Sequence, residues 1–176
     1  MLAQMIVVAF ALAAAPAAHC LRNGLALTPP MGWIAWERFT DTIDCQAYPD
    51  DCLQERLFKL MANRMVVDGY QKVGYKYINL DDCWSEKSRD ALTSNLVADK
   101  ARFPEGLRSL ADYMHNRGLL FGIYGDCGTA TCAGYPAQLK SEENLEDNYF
   151  KLDADQFAAW DIDSLKFDGC NLSENK

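Results

Sequence analysis

Apolar positions along the chain gather into short continuous runs and into stripes of helical spacing, and the two kinds take turns. Residues 27–33 carry Pro29 and Pro30, which exclude a helix and predict an extended entry. Trp33 to Trp36 then reads as the end of a first strand or the loop above it. Residues 40–51 are polar, include Pro49 and predict a loop that Cys45 and Cys52 are placed to staple. From 53 to 73, Leu57, Leu60, Met61, Met65 and Val73 recur at roughly helical spacing, with Gly69 and Gly74 as stops. Residues 75–80 predict a strand that delivers Asp81-Asp82-Cys83-Trp84 at its end, and 85–102 a polar loop.

Pro104 opens the next predicted helix, with Leu107, Leu110, Ala111 and Met114 on one face and Gly118 as its stop. An apolar run at 119–124 predicts a buried strand ending at Gly125-Asp126. A long loop is expected at 127–152, acidic and solvated over 141–147. A short helix starts at Asp153 or Asp155 and runs through Trp160, before a final strand at 164–167. Strand and helix in strict alternation imply a parallel sheet with crossover helices. Polar or aromatic groups end each strand, which favours a TIM-type barrel with its chemistry at the strand tips. No Gly-rich phosphate turn follows the first strand, as a doubly wound sheet would prefer.

The N-terminus departs from this pattern. Residues 6–15 are apolar, then come small residues and Pro16, the arrangement of a signal peptide over 1–20, leaving 21–176 as the barrel domain. The run is too short for an ordinary membrane span. Secretion changes the reading of the cysteines: removing Cys20 leaves Cys45, Cys52, Cys83, Cys127, Cys132 and Cys170, an even set that implies disulfides of open connectivity. His19 and His115 are the only histidines and no CxxC pair occurs, which speaks against structural zinc. A net charge of −8 removes nucleic acid from the partner classes.

Asp168 leads the candidate chemistry. Lys166 lies two residues earlier on the same predicted strand, so both side chains share a face, where an ammonium favours an ionised, attacking carboxylate. Asp81 and Asp82 at another tip are suited to accept sugar hydroxyls or to hold a hard cation, or else form a solvated strand end. Trp33, Trp36 and Tyr124 add aromatic faces near the strand ends, and carboxylates beside aromatic faces make carbohydrate the preferred ligand.

Asn23-Gly24-Leu25-Ala26, Thr28-Pro29-Pro30-Met31-Gly32-Trp33, Trp36-Glu37-Arg38-Phe39, Asp81-Asp82-Cys83-Trp84, Arg102-Phe103-Pro104, Gly122-Ile123-Tyr124 and Lys166-Phe167-Asp168-Gly169-Cys170 together resemble the animal α-galactosidase and α-N-acetylgalactosaminidase family, the melibiases of glycoside hydrolase family 27. The resemblance implies a (β/α)8 barrel and retaining hydrolysis of terminal α-linked galactose or N-acetylgalactosamine, without metal or organic cofactor. It makes Asp168 the nucleophile, Asp81, Asp82 and Lys166 hydroxyl contacts, and Trp36 and Tyr124 the wall of the sugar pocket. It also implies a lysosomal or extracellular destination and a homodimer.

The same resemblance implies the bridges Cys45–Cys52 and Cys132–Cys170. Relatives pair the cysteine of Asp-Asp-Cys-Trp with one that Asp41 replaces here, so a substitute Cys83–Cys127 bridge is expected. Asn171-Leu172-Ser173 is an N-glycosylation sequon close to Asp168. A barrel takes about 250 residues to close. The expectation is therefore the N-terminal half of a (β/α)8 TIM barrel, about four β/α units, truncated before the acid/base residue that the resemblance places on a later strand. The alternative is a short galactose-binding, lectin-like product that does not hydrolyse its ligand.

Overall fold

The computed structural model describes residues 23–25, 27–141 and 148–172. The signal-peptide segment 1–20, nearly all of the acidic 141–147 stretch and Ser173 of the sequon lie outside the described residues. A parallel four-stranded sheet runs in the order β1 (Gly32–Ile34), β2 (Tyr77–Asn79), β3 (Leu120–Asp126) and β4 (Ser164–Asp168). Between the strands lie α1 (Trp36–Phe39), α2 (Glu55–Val67), a 3-10 turn (Gln71–Val73), α3 (Gly106–His115) and α4 (Phe150–Ala159). Sequential parallel strands joined through helices are the β/α units that the alternating pattern predicts. No helix among the described residues is long and apolar enough to cross a membrane.

One face of the sheet supplies the core. Ile78, Phe121 and Ile123 alternate toward the helices and are buried with Phe58, Leu107, Leu110 and Met114. In α2 the buried stripe is Leu57, Phe58, Ala62 and Met65. Leu60 and Val73 instead face solvent, contrary to the predicted stripe. Leu60 falls on the opposite side of the helix, and Gly69 at φ 88 ends the helical course before Val73 is reached. All four predicted contacts of α3 are buried. The first strand ends at Ile34, and Trp36 belongs to the helical turn α1 above it, so residues 33–36 span the strand end and the start of the connection.

The opposite face is polar where strands meet. Register aligns Asn79, Gly122 and Ser164 in one layer, then Tyr124 with Lys166, and Asp126 with Asp168. Gly122 has no room for a side chain: a Cβ there would run into the Asn79 amide and the Ser164 hydroxyl. That close approach lets the strands above it bring their tips together.

Candidate active site at the strand tips

Beyond β2 the chain leaves the sheet at Asp81 and Asp82, which are 2% and 3% exposed, so neither is a solvated strand end. Asp81 Oδ1 accepts the Asp82 N–H at 2.8 Å, and its Oδ2 accepts the Lys166 ammonium at 2.8 Å. Asp82 is held differently. Its Oδ1 accepts the Cys83 N–H at 2.6 Å and the Thr131 hydroxyl at 2.8 Å, and its Oδ2 accepts the Ala133 N–H at 2.9 Å. With four lone-pair directions per carboxylate, Asp81 keeps two for a ligand and Asp82 keeps one.

Asp168 ends β4 at the same mouth. Its Oδ1 accepts the Gly169 N–H at 2.9 Å and its Oδ2 accepts the Tyr124 hydroxyl at 3.2 Å. The expected Lys166–Asp168 partnership is corrected here: the two side chains share a face, but the ammonium is bonded to buried Asp81, the better-desolvated acceptor. Burial first, then the carboxylates of Asp82, Asp168 and Asp126, pushes the Tyr124 phenol well above its ordinary range. Tyr124 therefore stays a hydrogen donor. Lys166 Nζ lies 5.1 Å from the Tyr124 ring centre and 5.8 Å from that of Trp36, a residue 43% exposed at the rim. Trp33 is not at this mouth; it packs edge-on against Phe39 and Phe58.

Asp126, which the sequence places at a strand tip without a role, and Thr131, which it does not mark, are supports of the site. Asp126 is fully buried at the tip of β3 and accepts the N–H groups of Gly128 (2.7 Å) and Cys170 (2.9 Å). It thereby ties the β3–α4 loop to the turn after Asp168. Its strand-end position was the available signal. Thr131 lies in an irregular loop 49 residues from its partner Asp82, where no periodicity marks it.

Disulfides join Cys45 to Cys52 and Cys132 to Cys170. The expected Cys83–Cys127 bridge is absent, and both thiols are free. Cys83 is buried at φ 69 against Tyr135, whereas Cys127 lies against Gly169, so the two sulfurs face different neighbours. Burial, then Asp82 and Asp41, raises the Cys83 thiol to about 11.

Donor atoms of Asp126, Cys132, Asp168 and Cys170 lie within 4.8 Å of one another. The two sulfurs share a bond and each Asp126 oxygen already accepts an N–H, so this group lacks the free thiolates a metal would use. At the other end of the sheet, Asp112, His115 and Asp161 also converge, but Arg108 bonds both aspartates and His115 bonds Asp163 at 2.7 Å.

Four parallel strands joined by three helical crossovers, with two aspartates, a tyrosine, a lysine and a further aspartate at adjacent strand tips, define part of a (β/α)8 barrel with a carboxylate-lined site. The chain belongs to the melibiase family described as alpha galactosidase A, whose profile matches residues 28–176. It is 52% identical over 153 residues to the alpha-N-acetylgalactosaminidase of Gallus gallus, covering 87% of this chain and 36% of that protein. It is 49% identical over 155 residues to alpha-galactosidase A of Homo sapiens, covering 88% of this chain and 34% of that one. Among solved structures, alpha-galactosidase from Saccharomyces cerevisiae superposes with a TM-score of 0.70 at 42% identity, covering 86% of this chain and 29% of that chain. The chain spans about a third of the length of the curated relatives it matches.

Proposed function

We propose that the chain forms the sugar-holding and nucleophile-bearing side of a retaining glycosidase site that acts on terminal α-linked galactose or N-acetylgalactosamine. The observation that carries this reading is the convergence of two pairs, Lys166–Asp81 and Tyr124–Asp168, on one mouth. Lys166 keeps two N–H donors and Asp81 two lone pairs, a matched donor and acceptor for neighbouring sugar hydroxyls. Trp36 offers its exposed ring to the C–H face of the sugar. Asp168 attacks the anomeric carbon to form a glycosyl ester, while Tyr124 and the Gly169 N–H hold its carboxylate in place. One solved relative, the alpha-galactosidase of Saccharomyces cerevisiae, has a structure with raffinose. The two disulfides suit an oxidising compartment, which supports the secretory pathway and a lysosomal or extracellular destination.

Retaining hydrolysis also uses a second carboxyl group about 5–5.5 Å from the nucleophile, which protonates the leaving group. Asp126 stands near enough but is fully buried, and each of its oxygens accepts a backbone N–H that favours the carboxylate over the acid, so it does not serve. The test therefore uses a substrate whose leaving group departs unprotonated. A 2-deoxy-2-fluoro-galactosyl fluoride is expected to label the chain at Asp168, located by peptide mass mapping, and to leave Asp168→Asn unlabelled. Galactose is expected to raise the melting temperature of both. Labelling at another residue, or galactose binding with no labelling, would overturn the assignment.

A further inference from the structure

The turn after the proposed nucleophile carries a modification signal in a place that the fold itself uses. Asn171-Leu172-Ser173 satisfies the N-glycosylation pattern. In the folded chain Asn171 sits at φ 52, and its side-chain amide points back at the β3–α4 loop. Nδ2 donates to the carbonyl oxygens of Thr131 at 2.9 Å and Ala130 at 3.2 Å, two acceptors for its two N–H bonds. The reverse amide orientation would set Oδ1 against two carbonyl oxygens, so the chemistry fixes the nitrogen on this side. Thr129 Oγ1 donates to the Asn171 carbonyl at 3.3 Å. The two backbones touch nearby, since a Cβ on Gly128 would overlap the Cys170 carbonyl.

This latch reaches the site. Thr131, whose carbonyl accepts from Asn171, donates its hydroxyl to Asp82 and accepts the Tyr135 N–H at 3.0 Å. Asn171 thus holds the wall that in turn holds Asp82.

We propose that N-glycosylation of Asn171 and closure of this wall are mutually exclusive, so that the order of folding and modification decides whether the chain has a formed pocket. Transfer from a polyprenyl-pyrophosphate-linked oligosaccharide forms the Nδ2–C1 bond and breaks the C1–O bond. The pyrophosphate carrier leaves and one amide proton is released. Only one N–H remains on the product. The sugar ring takes the place of one hydrogen, and the single N–H that remains cannot serve Ala130 O and Thr131 O as the two do. An unfolded chain presents the same nitrogen freely. Transfer first leaves the loop unlatched; folding first withholds both hydrogens from transfer.

The proposal rests on the secretory and pocket readings for its biological consequence, while the latch is tested independently of both. Purified unglycosylated chain is offered to an oligosaccharyltransferase with its lipid-linked oligosaccharide, either folded and oxidised or reduced and unfolded. Transfer to Asn171 is expected only for the unfolded chain, and not for unfolded Ser173→Ala. After reoxidation, hydrogen exchange at the Ala133 and Tyr135 amides is expected to be about tenfold faster in the glycosylated chain, the factor carried by loss of one hydrogen bond. Native Asn171→Asp, which sets a carboxylate against the two carbonyls, is expected to show the same acceleration without any glycan. Transfer to the folded chain with Cys132–Cys170 intact, absence of transfer to the unfolded chain, or unchanged exchange in Asn171→Asp would each overturn it. Should the exchange differences appear while the fluoro-sugar labels neither form, the latch stands and the glycosidase reading fails.

Discussion

Asp81 and Asp82 are adjacent, equally buried and identical in type, yet their surroundings give them different tasks. Asp81 depends on one long side chain from β4, so its charge is balanced by a residue that also faces the mouth. Lys166→Met would leave a buried carboxylate with a single backbone donor. The expected outcome is a loss of galactose-induced stabilisation together with a fall of about 2 kcal/mol in unfolding free energy, read by denaturant titration. The sequence marks both aspartates as strand-end acceptors, because their place after an apolar run is local information. What separates them is Thr131 and Ala133 arriving from a later loop, and no local pattern carries that.

The free thiols give a second residue-scale expectation. Native protein should be alkylated at half-buried Cys127 and should resist at Cys83 until it unfolds, as peptide mapping would show. The folded state favours protonated Cys83, whose thiol moves from 9.0 to about 11. Its contribution to stability is complete below about pH 9 and is lost as pH rises toward about 11. Unfolding titrations of Cys83→Ala should lack that alkaline decline, and its persistence would assign the decline to another group.

Among elements, the long loops do more positioning than the helices. Arg89 of the β2–α3 loop forms a bidentate pair with buried Asp153 of α4 at 2.6 and 2.7 Å, and also donates to the carbonyls of Ser94 and Ala137. One guanidinium thus joins both loops that flank the site to a helix. Asp153→Asn should cost about 3 kcal/mol by thermal or chemical unfolding, since it strands a buried arginine. Removing the exposed Arg56–Asp50 pair should be barely measurable. The Arg89–Asp153 pair also explains why the apolar and acidic pattern misplaces the start of α4. Asp153 looks like an N-terminal signal, but its carboxylate is turned to Arg89, and the helix begins earlier, at Phe150. Where burial alone sets the element, as in α3, the apolar spacing marks the right face.

At the scale of the whole molecule, the sheet has two edges, β1 and β4, and they are unequal. On β4, Leu165 and Phe167 are 45% and 49% exposed, and with Phe150 they form an apolar strip beside a strand edge that pairs with no strand among the described residues. An edge that is apolar and in open register favours pairing with another chain. Against this stands the net charge of −8, which keeps copies apart at low ionic strength. The balance fixes the sign of a salt effect. Screening weakens the repulsion and leaves apolar burial intact, so self-association of this chain should strengthen from about 0.02 M to about 0.5 M salt. Leu165→Lys with Phe167→Thr should abolish the salt-induced shift in sedimentation coefficient while leaving the Lys166–Asp81 and Tyr124–Asp168 pairs on the other face of the strand undisturbed. An association that weakens with salt would instead place the contact on charged surface and acquit the β4 edge.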